Sequence, residues 1–138
     1  MCKCASTSAR NRSNLAIAWK GPIDSPDDVV SDGDTVTFGG APFSVLETPG
    51  HAPGATCYWN EKDAVLFSGD TLFADGGIGR FDFPDGDLKV MDASIKRLGK
   101  LPVRVLHPGH GASPEGDAAK RSVAASVQHV QLCLDERA

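Results

Sequence analysis

The chain has 138 residues, 23% of them charged and 41% hydrophobic, with a formal net charge of −4. That is enough chain for one domain with a real core and too little for two, and the balance is that of a globular protein rather than a disordered one. An acidic chain has no general attraction for a phosphate backbone or an anionic membrane surface, so nucleic-acid and membrane partners are not expected. No run of eighteen apolar residues occurs and the first twenty residues contain no secretory signal, which makes a cytoplasmic location the expectation.

Met1 to Asn14 is polar and aperiodic and reads as an irregular N-terminal tail, with the ordered domain running over residues 15–138. From Asp34 the pattern becomes that of a hairpin: Thr35 to Phe38, the turn Gly39-Gly40-Ala41-Pro42, and Phe43 to Glu47. A second antiparallel pair, Ala55 to Trp59 and Ala64 to Phe67, flanks the polar turn Asn60-Glu61-Lys62-Asp63. Asp87 is placed to cap a helix whose inner face is Leu88, Met91, Ile95 and Leu98, stopped at Gly99. Val103 to Leu106 reads as a short strand, and a last helix begins near Asp117 with Val123, Val127, Val130 and Leu134 on one stripe. The class is mixed α and β.

The cysteines Cys2, Cys4, Cys57 and Cys133 follow neither a disulfide framework nor a paired zinc-finger spacing and are expected as free thiols. The Cys2-x-Cys4 pair reads as part of an exposed tail without function.

The chemistry lies in the connections. Thr48-Pro49-Gly50-His51-Ala52-Pro53-Gly54 holds a histidine in a loop stiffened by two prolines, so its imidazole is placed before any ligand arrives. Phe67-Ser68-Gly69-Asp70-Thr71-Leu72-Phe73 puts a carboxylate at the end of an apolar strand, where it is costly unless paired, hydrogen-bonded or bound to metal. Leu106-His107-Pro108-Gly109-His110-Gly111 runs a third strand out into a histidine loop. His107 reads as a neighbour of that site and His129 as an ordinary helix residue. Arg80 and Asp82 are suited to an ion pair that orders their loop or meets an anionic substrate, and Tyr58 and Trp59 to sheet packing.

Taken in order, T-P-G-H-x-P-G, L-F-S-G-D-T-L-F and P-G-H-G resemble the metallo-β-lactamase superfamily. The segments Asp32-Gly33-Asp34-Thr35, Gly77 to Pro84 and Gly86-Asp87 resemble its short glyoxalase II-like branch, and the likeness runs from about Asp32 to the C-terminus. The resemblance implies an αββα sandwich, of which this chain would form the second αβ half, a partial domain. It implies His51 as ligand of a first metal, Asp70 as the carboxylate bridging two metals and the residue closest to catalysis, and His110 as ligand of the second. Zinc, one or two ions, is the implied cofactor, with iron or manganese as alternatives. The implied activity is hydrolysis of a thioester such as an acyl-glutathione, or of an ester, by a metal-bound hydroxide. A mononuclear iron persulfide dioxygenase is a further alternative within the superfamily.

The sequence departs from the family at one point. It contains no H-x-H-x-D-H, and no histidine precedes His51. Each metal would then keep only two protein ligands from this chain, one fewer than a catalytic zinc ordinarily has. Two expectations follow: self-association or pairing with a complementary half-domain that restores the ligands, or a non-catalytic half-domain, remnant or truncated product.

Overall fold

A computed structural model describes residues 28–138. The irregular tail, the start of the ordered domain near Leu15, and Cys2 and Cys4 all lie outside the described residues. Among the described residues five strands form one sheet in sequence order: β1 (Thr35–Phe38), β2 (Ala41–Glu47), β3 (Thr56–Asn60), β4 (Val65–Gly69) and β5 (Val105–Pro108). The first four make the expected antiparallel meander, and β5 lies parallel to β4 with Leu66 opposite Leu106. A parallel neighbour requires a crossover. It is made by the 3₁₀ turn Ala74–Gly76 and by α1 (Leu88–Leu98); α2 (Gly116–Asp135) closes the chain.

Alternation sorts each strand between two faces. Leu46, Cys57, Trp59, Leu66 and Leu106 point to the helices, where Leu98, Ala119 and Val123 meet them in one core cluster. Leu88, Met91 and Ile95 of α1 pack on Val130 of α2 in a second cluster, with Val127 and Leu134 partly buried against it. Asp87 caps α1 as expected, its Oδ1 accepting from the amides of Lys89 at 2.8 Å and Val90 at 3.1 Å. Gly99 follows α1 in the right-handed conformation, so its value there is room and not backbone freedom: a Cβ would stand 2.7 Å from Val127 Cγ2.

Several strand ends differ from the sequence reading: β2 already begins at Ala41, paired with Phe38, so the hairpin turn is Gly39-Gly40 alone. The last strand begins two residues later, at Val105, because Val103 spends its apolar side chain on the helix-side core while the amides of Arg104 and Val105 both donate to Ala64 O at the entrance to the ladder. Asn60 ends β3 instead of opening the turn; its carboxamide accepts from the Asp63 amide at 2.7 Å and donates to Pro42 O at 2.8 Å.

The Asp32-Gly33-Asp34 segment acts as a clamp. Asp32 accepts from the Glu47 amide at 2.8 Å and pairs through both oxygens with Arg97 of α1, at 2.6 and 3.0 Å. The Arg97 guanidinium holds the Asp32 carboxyl below its ordinary value, against a burial effect that acts the other way. A depressed carboxyl contributes stability that is complete above the unfolded value and is lost as pH falls through the folded one. Both side chains are largely solvated, so Asp32→Asn should cost only about 0.5–1 kcal/mol at pH 7. The difference from wild type should shrink at pH 3; urea midpoints at the two pH values check it, and a constant difference would count against the clamp.

Candidate functional site

Strands β2, β4 and β5 run in one direction, so the loops that follow them leave the sheet at the same edge. This is why residues far apart in sequence meet: His51 follows β2, Asp70 follows β4 and His110 follows β5. All three sequence-derived candidates are brought together. Asp70 Oδ1 accepts a hydrogen bond from His110 Nδ1 at 2.9 Å, and Asp70 Oδ2 faces His51 Nε2 at 3.9 Å. The side chains are graded in exposure, 23% for His51, 37% for Asp70 and 77% for His110, so the site opens outward from His51.

The His51 loop is fastened from below. Ser94 of α1 donates to Pro49 O at 2.7 Å, the Asp87 amide donates to Gly50 O at 2.9 Å, and the Thr48 amide donates to Ala55 O at 2.8 Å. The imidazole is then oriented by a backbone carbonyl: His51 Nδ1 lies 2.6 Å from Arg80 O. A carbonyl can only accept, so Nδ1 carries a proton, and Nε2 is the ring nitrogen turned toward Asp70. The His110 loop is held by the Gly109 amide, which donates to Gly69 O at 2.7 Å and keeps β5's exit beside β4's.

Arg80 and Asp82 form the expected ion pair, with Nε and Nη2 each 2.9 Å from one carboxylate oxygen. The same guanidinium lies 4.5 Å from the centre of the Phe83 ring, and Phe83 meets His51 edge-on at 5.8 Å. Phe73 stands on the other side, 6.1 Å from the His110 ring. His107 stays in β5 and stacks on Phe67 at 5.0 Å, while His129 binds Gly76 O through Nδ1 at 2.9 Å and ties α2 to the 3₁₀ turn. Cys57 and Cys133 are free thiols.

The donors fit a metal in type, since imidazole and carboxylate hold zinc, iron or manganese. In number they fit only in part. Among the described residues no group of three or more His, Cys, Asp or Glu side chains converges on one point as a metal site. The carboxylate of Asp70 instead divides itself between two imidazoles, which makes two incomplete two-donor corners sharing one acid. The Arg80 carbonyl that orients His51 was invisible to sequence reasoning, because a backbone acceptor leaves no residue signature.

The metallo-beta-lactamase superfamily profile matches residues 8–110. A hydroxyacylglutathione hydrolase of Rhizobium meliloti is 39% identical over 113 residues, covering 81% of this chain and 41% of that protein. A probable metallo-hydrolase of Burkholderia pseudomallei is 36% identical over 120 residues, 80% of this chain and 38% of that protein. The chain thus spans less than half the length of these curated relatives. Among solved structures, TTHA1623 in a di-iron-bound form is 38% identical with a TM-score of 0.61, covering 79% of this chain and 55% of that one. The BLEG-1 B3 metallo-beta-lactamase is 30% identical with a TM-score of 0.67, covering 91% of this chain and 63% of that one. No helix among the described residues is long and apolar enough to cross a membrane. With the three strand-end loops, the sheet order and these matches together, the chain belongs to the metallo-beta-lactamase superfamily, in its glyoxalase II-like branch.

Proposed function

We propose that this chain supplies one half of the centre of a metal-dependent hydrolase that cleaves a thioester of the acyl-glutathione class, or a related ester. The observation that carries the reading is the divided carboxylate: Asp70 presents one oxygen to each of two imidazoles, and His51 has Nδ1 engaged by the Arg80 carbonyl with Nε2 on the Asp70 side. The curated relatives named hydroxyacylglutathione hydrolase favour the thioester. Bound metal would supply a water acidified toward neutral pH and a positive charge beside the carbonyl. The work of this chain's own residues is to hold donors in place. His51 and His110 offer imidazole nitrogens, Asp70 its two carboxylate oxygens, and Phe73 and Phe83 flank them with apolar surface.

The missing donors are proposed to come from a second copy of the chain or from a complementary half-domain. The di-iron form of TTHA1623 makes iron a candidate beside zinc and manganese. The absence of a three-donor group among the described residues favours a second reading, a non-catalytic half-domain, and one experiment separates the two. Metal per chain is measured after dialysis against a weak chelator, for wild type and Asp70→Ala, with sedimentation of the same samples. Hydrolysis expects about one or two ions per associated wild-type chain, lost in the variant, and turnover of an acyl-glutathione. Wild type that retains no metal leaves the non-catalytic reading.

A further inference from the structure

Beneath the loops that carry His51 and Asp70 lies a run of polar side chains that the donor set does not use. Thr48, Cys57 and Ser68 are fully buried and Thr71 is 1% exposed. Thr71 Oγ1 lies 3.1 Å from Thr48 Oγ1, and Thr48 Oγ1 lies 3.2 Å from Cys57 Sγ. Cys57 Sγ donates to Ser68 O at 3.4 Å, and Ser68 Oγ donates to Leu72 O at 2.7 Å.

Each of these groups owns a single hydrogen, and the backbone carbonyls, which can only accept, fix where the Cys57 and Ser68 hydrogens go. The Cys57 hydrogen goes to Ser68 O, so its sulfur is left to accept from the threonine hydroxyls. Thr48 and Thr71 share their two hydrogens between that sulfur and each other. Burial pushes the Cys57 thiol up to about 11, with the hydroxyls of Thr48 and Thr71 pulling the other way, so the sulfur keeps the hydrogen that it gives to Ser68 O. No hydrogen in the run is left over, and every donor is spent in an interior where an unpaired one would cost about 1–3 kcal/mol.

We infer that this buried hydrogen-bonded run is a positioning device: Thr48, three residues before His51, and Thr71, next to Asp70, set the separation of the two donor loops. Two apolar side chains in contact would sit about 4 Å apart without a preferred direction. The hydroxyl pair closes that gap to 3.1 Å and makes the contact directional. The inference uses the proposed role of His51 and Asp70 as donors, but the coupling of the loops stands without it.

The test uses the full chain with Thr48→Val, Thr71→Val, the double variant and the two serine variants. Urea midpoints are measured with the ¹⁵N resonances of the His51 imidazole in the metal-free chain, and zinc affinity is measured by competition. Each valine variant is expected to shift the His51 resonances and weaken zinc by about tenfold or more, the usual effect of losing a group that orients a ligand. The double variant should cost no more stability than the worse single one, because the orphaned partner is removed with it, and serine should restore both readouts. Folded valine variants with unchanged His51 resonances would overturn the inference, as would strictly additive costs. Should a valine variant not fold, Cys57→Ser keeps the polarity and alters one link length, and unshifted His51 resonances in it would be equally fatal. Wild type that takes up no zinc while the valine variants still show the shift and the coupling ends the proposed function and leaves this inference intact.

Discussion

Gly79→Ala should disable the site more than any change to an exposed residue around it. A Cβ at Gly79 would stand 1.9 Å from the Asp70 carbonyl oxygen and 3.2 Å from His51 Cβ, so the methyl group would fall between two candidate donors. The backbone φ at this position is not left-handed, and the whole penalty is therefore contact. Relief requires the Gly79 segment to swing away from Asp70. That motion breaks the hydrogen bond from the Gly79 amide to Thr71 O, 3.2 Å long, and carries off the Arg80 carbonyl that orients His51. Overpacking of this kind costs about 1–3 kcal/mol, sometimes more, and freeing an oriented imidazole weakens metal binding about 10–100-fold. Retained metal per chain and the urea midpoint measure the two parts separately. Wild-type metal retention in a folded Gly79→Ala chain would show that His51 does not depend on this loop.

Alternation in Thr35 to Glu47 and in the strands about residues 60–63 made the meander legible, and the 3.6-residue recurrence of Leu88, Met91, Ile95 and Leu98 located α1. These are signals carried by side chains that must face one way. The β5 boundary was missed because Val103 is as apolar as a strand residue but is buried outside the ladder. Ser122 and Ser126 were missed for the opposite reason. They are small polar residues at fully buried helix positions, and only the fold shows that they meet the 3₁₀ turn, Ser122 Oγ accepting from the Asp75 amide at 3.1 Å and Ser126 Oγ donating to Gly77 O at 3.0 Å.

At the site, the loop residues His51, Asp70 and His110 were legible because Pro-Gly-rich strand exits around ligating side chains are a recognisable pattern, and all three do gather at one edge. Their supports were not legible. A carbonyl at Arg80, a hydroxyl pair from Thr48 and Thr71, and the space left at Gly79 have no periodicity to betray them. The support of the site is therefore mostly backbone and small side chains, whereas the donors themselves are the part that sequence displays.

Gly50→Ala is the second large effect, and here conformation and contact act together. Gly50 has φ +133°, and a Cβ added there would lie 2.4 Å from both Cα and Cβ of Met91, in the first turn of α1. Met91 is fully buried in the cluster with Leu88, Ile95 and Val130, so α1 cannot yield without opening that cluster. A shift of α1 also strains the two bonds that fasten the His51 loop to it, from the Asp87 amide to Gly50 O and from Ser94 to Pro49 O. The expected loss is about 3–5 kcal/mol, a large part of the stability of an ordinary domain. Gly40→Ala supplies the control, since Gly40 has φ +81° but nothing within 4 Å of an added Cβ. It should lose only the conformational part, about 1–2 kcal/mol. Urea unfolding of the two variants beside wild type separates strain from contact. Equal losses would mean that α1 gives way freely at Met91, and the His51 loop would then have no rigid floor.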